Sequence, residues 1–411
     1  MKKDTQIQNL IKKEAKRQKS VINLIASENY VSQAVLDALG SVFTNKYAEG
    51  YPGKRYYGGN IVVDEVENLA RERALKLFKL SPKKWSVNVQ PYSGSPANIA
   101  VYLALVPLGE KIMGMRLDMG GHLTHGHKVS ASGKIWEQVP YGVNKETERL
   151  DYKELEEIAK KEKPKLIVAG FTAYPRRIDW AAFRRVADSC GALLMVDMSH
   201  IAGLVAGGAH ASPFPHADVV TTTVHKTLRG PRSAMIFSRQ VKLGEARSEG
   251  AARFMISELI DKAVFPGMQG GPHVNQIAGI ATALFEAIQP EFKKYAAQII
   301  KNARVLAEEL TRKGWRVVSG GTDNHLLLVD TWARGISGGE ASDALEKHGI
   351  IVNKNTIPFD ERTPVDPSGI RIGTAAVTTQ GMKEKDMNRI AERVHSVLEK
   401  ARLSKTEEKK I

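Results

Sequence analysis

Short, wholly apolar runs alternate with longer segments of helical spacing through residues 85–240, which predicts repeated βαβ units. The run Gly191-Ala-Leu-Leu-Met-Val-Asp197 is apolar, bounded by glycine, and reads as a buried parallel strand with Asp197 at its carboxyl end. Asp218-Val-Val-Thr-Thr-Thr-Val predicts a second strand, which runs into a polar turn, His225-Lys-Thr-Leu-Arg-Gly-Pro-Arg232. Tyr92-Ser-Gly-Ser-Pro introduces a helical pattern through Ile99 to Leu105. Later in the chain, Ile277, Ile280, Leu284 and Ile288 mark one face of a helix that Pro290 ends. Beyond it, helices alternate with short strands such as residues 316–319 and 326–330, an α+β pattern. The predicted architecture is an N-terminal arm and helix (1–30), a large α/β domain with a mostly parallel sheet (31–280), and a smaller α+β domain (281–411).

Composition narrows the class. No run of about 18 apolar residues occurs, so no membrane span is expected, and the first residues lack the apolar core of a signal peptide. Cys190 is the only cysteine, so no intramolecular disulfide can form, and a cytoplasmic location is expected. The net charge of +15 is less ordinary. Basic residues crowd both ends: Lys12, Lys13, Lys16, Arg17 and Lys19 at one, Lys405, Lys409 and Lys410 at the other. A solvated helix face accounts for them most simply; steering of anionic substrates or loose nucleic-acid binding are the sharper alternatives. No nucleic-acid module supports the last of these.

The polar turn carries the chemistry. Lys226 follows a strand end and is flanked by hydroxyls, a histidine and two arginines. Burial and neighbouring cations favour a neutral amine, the form that attacks a carbonyl to make a Schiff base. Asp197 at another strand end can pair with a cationic ring nitrogen, which completes the lysine-plus-aspartate pattern of pyridoxal phosphate sites. Ser93, Gly94 and Ser95 place free amides and hydroxyls at a helix amino terminus, where a phosphate would sit; the same residues would also make an ordinary cap. No metal site is expected.

Several long motifs extend this picture: Asn23-Leu-Ile-Ala-Ser-Glu-Asn29, the stretch from Thr44 to Gly59 containing Tyr47-Ala-Glu49-Gly-Tyr-Pro-Gly, and Gly120-Gly-His122-Leu-Thr-His-Gly126. Phe265-Pro-Gly-Met-Gln-Gly-Gly-Pro272, Ser319-Gly-Gly-Thr-Asp-Asn-His325 and Val352-Asn-Lys-Asn355 join them. Together with the Asp197 and Lys226 segments, they make the chain resemble the serine hydroxymethyltransferases from about residue 20 to about residue 395. The resemblance implies a fold type I pyridoxal phosphate enzyme, similar in fold to aspartate aminotransferase. It also implies reversible conversion of serine and tetrahydrofolate to glycine and methylenetetrahydrofolate. A homodimer with shared active sites is implied too.

Residue roles follow from the resemblance. Lys226 would hold the cofactor covalently, and Asp197 would pair with its ring nitrogen. His122 would stack on the ring, Thr172 would meet its phenolic oxygen, and His200 would hold its surroundings. Gly270 and Gly271 of a neighbouring subunit would join Ser93, Gly94 and Ser95 at the phosphate. Arg371 would take the substrate carboxylate as a planar bidentate cation, with Ser27 as a lesser contact. Glu49 is the acid–base candidate, flanked by Tyr47 and Tyr57; a carboxyl in a partly desolvated aromatic setting can have a raised pKa. His225 is assigned to specificity, and Arg232 to support of the lysine loop. Folate contacts would fall on Leu117, Gly121, His122, Leu123 and Asn355, and on Thr363, Pro364 and Val365.

Four positions depart from the family pattern. Val224 replaces a threonine, Ser199 an alanine, Ser233-Ala234 a glycine pair, and Met119 a small residue or histidine. None removes a catalytic group. The closest rival activity is a folate-independent aldolase acting on threonine or other β-hydroxy amino acids.

Overall fold

The structure is a computed structural model that describes residues 4–243 and 254–408; Lys409 and Lys410 of the basic tail lie outside the described residues. Its centre is a seven-stranded sheet formed by β1 (Trp85–Asn88), β2 (Lys111–Met115), β3 (Glu137–Tyr141), β4 (Leu166–Gly170), β5 (Leu193–Asp197), β6 (Val219–Thr223) and β7 (Ala234–Arg239). The strand order is β1-β7-β6-β5-β4-β2-β3. β2 to β6 run parallel, and β7 is antiparallel to both of its neighbours.

The continuous apolar runs have a direct physical cause. Met113, Ile167, Leu194 and Val220 point into one core, while Ile112, Leu166, Leu193 and Val219 point into another on the opposite face. Side chains alternate along a strand, so a strand covered on both faces must be apolar at every position. The parallel strands end together at one edge, where β5 ends on Asp197 and the departing loops carry His122, Thr172 and Lys226. Ligands bind at this edge in open α/β sheets.

A second sheet of β8 (Arg316–Val317), β9 (Leu326–Asp330), β10 (Asn353–Asn355) and β11 (Gly369–Gly373) has the order β8-β9-β11-β10, all antiparallel. Leu327, Val329, Ile370, Ile372, Leu345 and Leu398 form its core. Leu24 of the N-terminal segment is buried in the same core, and Ile22–Asn23 pairs in parallel with Ile350–Ile351.

The helix α1 (Thr5–Ser20) carries Lys12, Lys13, Lys16, Arg17 and Lys19 and buries none of its side chains. Two further helices join the cores. In α2 (Val274–Ile288), Ile277, Ile280 and Leu284 are buried in the large core, so residue 280 lies inside a helix. The helix α3 (Pro290–Arg312) gives Phe292, Ala296 and Ile299 to the large core and Leu306 and Leu310 to the small one. No described helix is long and apolar enough to cross a membrane.

Candidate active site

The strand ends enclose a cavity of about 460 Å³ whose walls include Lys226, Asp197, His122, Thr172, Ser93 and Arg371. Ser27, Gly94, Ser95, His200 and His225 line it as well. Among the described residues, Lys226 has no ion-pair partner, and only 9% of it is exposed. Burial is the main force on its amine. The charge of Asp197 opposes burial and those of Arg371 and Arg232 add to it, which brings the pKa down to about 8. The loop around it is held from several sides. Asn29 Nδ2 donates to the Lys226 carbonyl at 2.9 Å, and the Thr227 hydroxyl donates to the His200 carbonyl at 2.9 Å.

Lys226 makes the stability of the cofactor-free fold depend on pH. Its folded pKa lies below the unfolded value, so protonating it in the fold costs stability. That cost is full below pH 8 and fades as pH rises toward 10.5, where the unfolded chain still binds the proton. Cofactor-free Lys226→Met should therefore be more stable than the parent near pH 7, and the gap should close by about pH 10. Urea unfolding at both values checks this; a gap that widens with pH contradicts it.

Asp197 is the most constrained group. Burial alone would raise its carboxyl, but hydrogen bonds and charge outweigh burial and hold it well below the usual carboxylate range. His125 Nε2 lies 3.1 Å from Oδ2, Asn98 Nδ2 donates to Oδ2 at 2.9 Å, and Ser199 N donates to Oδ1 at 3.1 Å. Asn98 is itself oriented by the Thr221 hydroxyl, which donates to its Oδ1 at 2.8 Å. The site thus keeps an anion at the strand end. His125 and Asn98 were not among the expected site residues. His125 stands inside the Gly120–Gly126 motif, and the need of a buried carboxylate for partners could have pointed to it. Nothing in the sequence marks Asn98.

His122, His200 and His225 of the cavity wall, and His325 behind them, are each pushed toward the neutral form. Burial, then the charge of His125, lowers His122 to about 4. Burial, Lys226 and Arg232 lower His225 to about 3. His200 is also pushed down by burial, and its Nδ1 sits 3.2 Å from His325 Nε2. His325, lowered to about 3 mainly by burial, supports the cavity from beneath.

Ser93 caps the helix Gly94–Leu105 without a side-chain capping bond, so its hydroxyl and the first helical amides remain available. Gly94 is required there: a Cβ would fall 2.7 Å from Thr223 Cγ2. Arg371 on β11 donates from Nη1 to the Thr172 carbonyl at 2.8 Å and from Nε to Asn353 Oδ1 at 3.0 Å. Burial brings its pKa down to about 10, and no described carboxylate forms an ion pair with it. The Thr172 hydroxyl donates to the Gly121 carbonyl at 2.7 Å.

The remaining expected residues lie elsewhere. Tyr47, Glu49 and Tyr57 do not line this cavity. They form a separate, partly exposed cluster in which the Tyr47 hydroxyl donates to Glu49 Oε1 at 3.2 Å and the Tyr47 and Tyr57 rings meet edge-on at 4.9 Å. Gly270 and Gly271 belong to that cluster, Gly270 against Glu49 and Gly271 against Tyr47. Of the folate positions, Leu117, Gly121, His122 and Leu123 line the cavity. Pro364 lines an adjoining groove of about 400 Å³ that shares Leu117 as a wall. Asn355, Thr363 and Val365 line neither, and the Asn355 side chain donates to the Thr356 carbonyl at 2.6 Å.

The four departures find structural places. The Ser199 hydroxyl accepts from the Thr223 amide at 2.9 Å, tying β5 to the end of β6. Ser233 donates to the Pro91 carbonyl at 3.1 Å. Val224 is buried against Gly230, and Met119 is buried against Gly142 rather than facing the cavity.

Comparison with known proteins agrees in family. A family model described as serine hydroxymethyltransferase matches residues 1–394. A serine hydroxymethyltransferase of Acidobacterium capsulatum is 56% identical over 96% of this chain and 88% of its own length. One from Koribacter versatilis is 57% identical over 94% of this chain and 87% of its own length, and one from Acidothermus cellulolyticus is 54% identical over the same shares.

Proposed function

The chain belongs to the serine hydroxymethyltransferase family, and from that premise we propose how its residues divide the work of converting serine and tetrahydrofolate to glycine and methylenetetrahydrofolate. The carrying observation is the depressed, unpaired amine of Lys226 in one cavity with the anionic Asp197. The cavity also suits pyridoxal phosphate by its loose ends. Thr223 Oγ1 and His225 Nδ1 are buried without a partner among the described residues, and the Ser93 end of the helix is uncapped by its side chain. When bound, the cofactor supplies a carbonyl carbon for covalent capture of an amine and a cationic ring that takes up electrons from a breaking bond.

Every other task falls to the chain. Lys226 provides the neutral amine. Asp197, fixed by His125, Asn98 and the Ser199 amide, keeps a proton on the ring nitrogen. Ser93, Gly94 and Ser95 would hold the phosphate, His122 would cover the ring, and Thr172 and His200 would bound its edge. Arg371 takes the amino acid's carboxylate through its guanidinium, assisted by Ser27. The low pKa of His225 leaves it neutral at pH 7, which suits a hydrogen-bonding specificity role.

Glu49, helped by Tyr47 and Tyr57, moves the proton of the serine hydroxyl as the carbon–carbon bond breaks. Those residues lie outside this chain's own cavity, which supports a homodimer in which each copy lends Tyr47, Glu49, Tyr57, Gly270 and Gly271 to its neighbour. Tetrahydrofolate enters beside Leu117 and Leu123 and reaches toward Pro364 in the adjoining groove. The proposed division is an arm over 1–30, a cofactor domain to about 280 and a small domain after it; the proposed location is the cytoplasm.

Folate dependence separates this reading from an aldolase. Serine cleavage, followed as glycine formed, should accelerate at least about tenfold when tetrahydrofolate is added. An unchanged rate, with threonine cleaved faster than serine, would favour the folate-independent aldolase.

A further inference from the structure

A buried amide stands between the two clusters that one chain supplies. Gln269 is 8% exposed. Its Nε2 donates to the Gln90 carbonyl at 3.0 Å, and its Oε1 accepts from the Tyr92 amide at 3.1 Å. Tyr92 directly precedes Ser93 of the helix start and donates from its hydroxyl to the Gly271 carbonyl at 2.8 Å. In the other direction, Gln90 Nε2 donates to the Gly50 carbonyl at 3.0 Å and to Glu67 Oε1 at 2.9 Å. Arg55 Nη1 donates to the carbonyls of Ala48 and Gly50, at 2.9 and 2.7 Å, on either side of Glu49. The buried carboxylate of Glu67 holds Arg55 in turn at 2.6 Å.

A continuous line of hydrogen bonds therefore runs from the helix start through Gln269 and Gln90 to the turn that bears Glu49. Glutamine suits the central place because its amide holds a donating nitrogen and an accepting oxygen at fixed separation. Without it, the Gln90 carbonyl and the Tyr92 amide are left buried and unpaired, and the backbone on both sides must shift to recover partners.

We propose that Gln269 is a positioning residue with two effects: it fixes the phosphate-binding helix start of its own chain, and it fixes the Glu49 turn that this chain lends to its neighbour. The inference rests on the shared-site reading of Glu49 and goes beyond it. Gln269 lines neither the Lys226 cavity nor the adjoining groove.

Mixed dimers separate the two effects. One chain carries Lys226→Ala, so a single live site remains, built from the Lys226 of the other chain and the Glu49 of the Lys226→Ala chain. Gln269→Met, nearly isosteric but without the donor and acceptor, is placed on either chain in turn. On the Lys226-bearing chain it should raise the Kd for pyridoxal phosphate about tenfold. On the Lys226→Ala chain it should lower kcat about tenfold at saturating cofactor and serine. Gln269→Asn, which keeps both polar ends on a shorter stem, replaces the Met variant if that variant does not fold. An unchanged Kd in the first placement, or an unchanged kcat in the second, overturns the proposal. Glu49→Gln on the Lys226→Ala chain is the control: if it leaves kcat intact, the shared-site reading fails, whatever Gln269 does.

Discussion

Lys226→Ala is expected to lower serine cleavage by at least about a thousandfold and to abolish covalent attachment of pyridoxal phosphate. The expectation follows from the position of the amine. Burial and the two arginines bring its pKa to about 8, so a useful fraction is neutral near physiological pH, whereas an exposed lysine has almost none. Among the described residues, no other lysine lines the cavity. The variant should fold as well as the parent, because it removes a buried cation with no ion-pair partner among the described residues instead of a packed apolar group. Steady-state kinetics and an absorbance spectrum of the purified variant check both halves. Parental activity in this variant would mean that a different amine does the chemistry.

Arg371→Leu carries the second largest effect. The guanidinium is held by Asn353 and by the Thr172 carbonyl, and no described carboxylate answers its charge. A partly buried cation in that state is costly unless a ligand neutralises it. The KM for serine should rise roughly a hundredfold or more, while the Kd for pyridoxal phosphate stays near the parental value. Arg371→Lys should recover only part of the loss, since an ammonium cannot reproduce the two parallel bonds of a guanidinium. A variant with parental KM and weak cofactor binding would move Arg371 from substrate to cofactor.

The sequence disclosed those parts of the fold that are set by burial on two faces. The run ending at Asp197 reads as a strand because Leu194 and Val196 face one core while Leu193 and Met195 face the other. The antiparallel course of β7 was not readable, since strand direction leaves no mark on an apolar pattern. Nor was the sharing of α3 between two cores: an amphipathic helix looks the same whether its stripe meets one partner or two.

The site divides similarly. Lys226, Asp197 and Ser93–Ser95 were legible because each marks a strand end or helix start, where backbone geometry limits what a polar residue can do. His125, Asn98 and Gln269 act through another residue, and their partners are far away in sequence. The separation of Glu49 from the Lys226 cavity was also hidden, because a motif gives a residue's chemistry and not the copy of the chain on which it acts.

Borohydride reduction of the cofactor-loaded protein, followed by proteolysis and mass mapping, tests the central claim most directly. The pyridoxyl label is predicted on the peptide containing Lys226, at that lysine alone. A label on another lysine, or no label on a protein that still cleaves serine, would contradict the account.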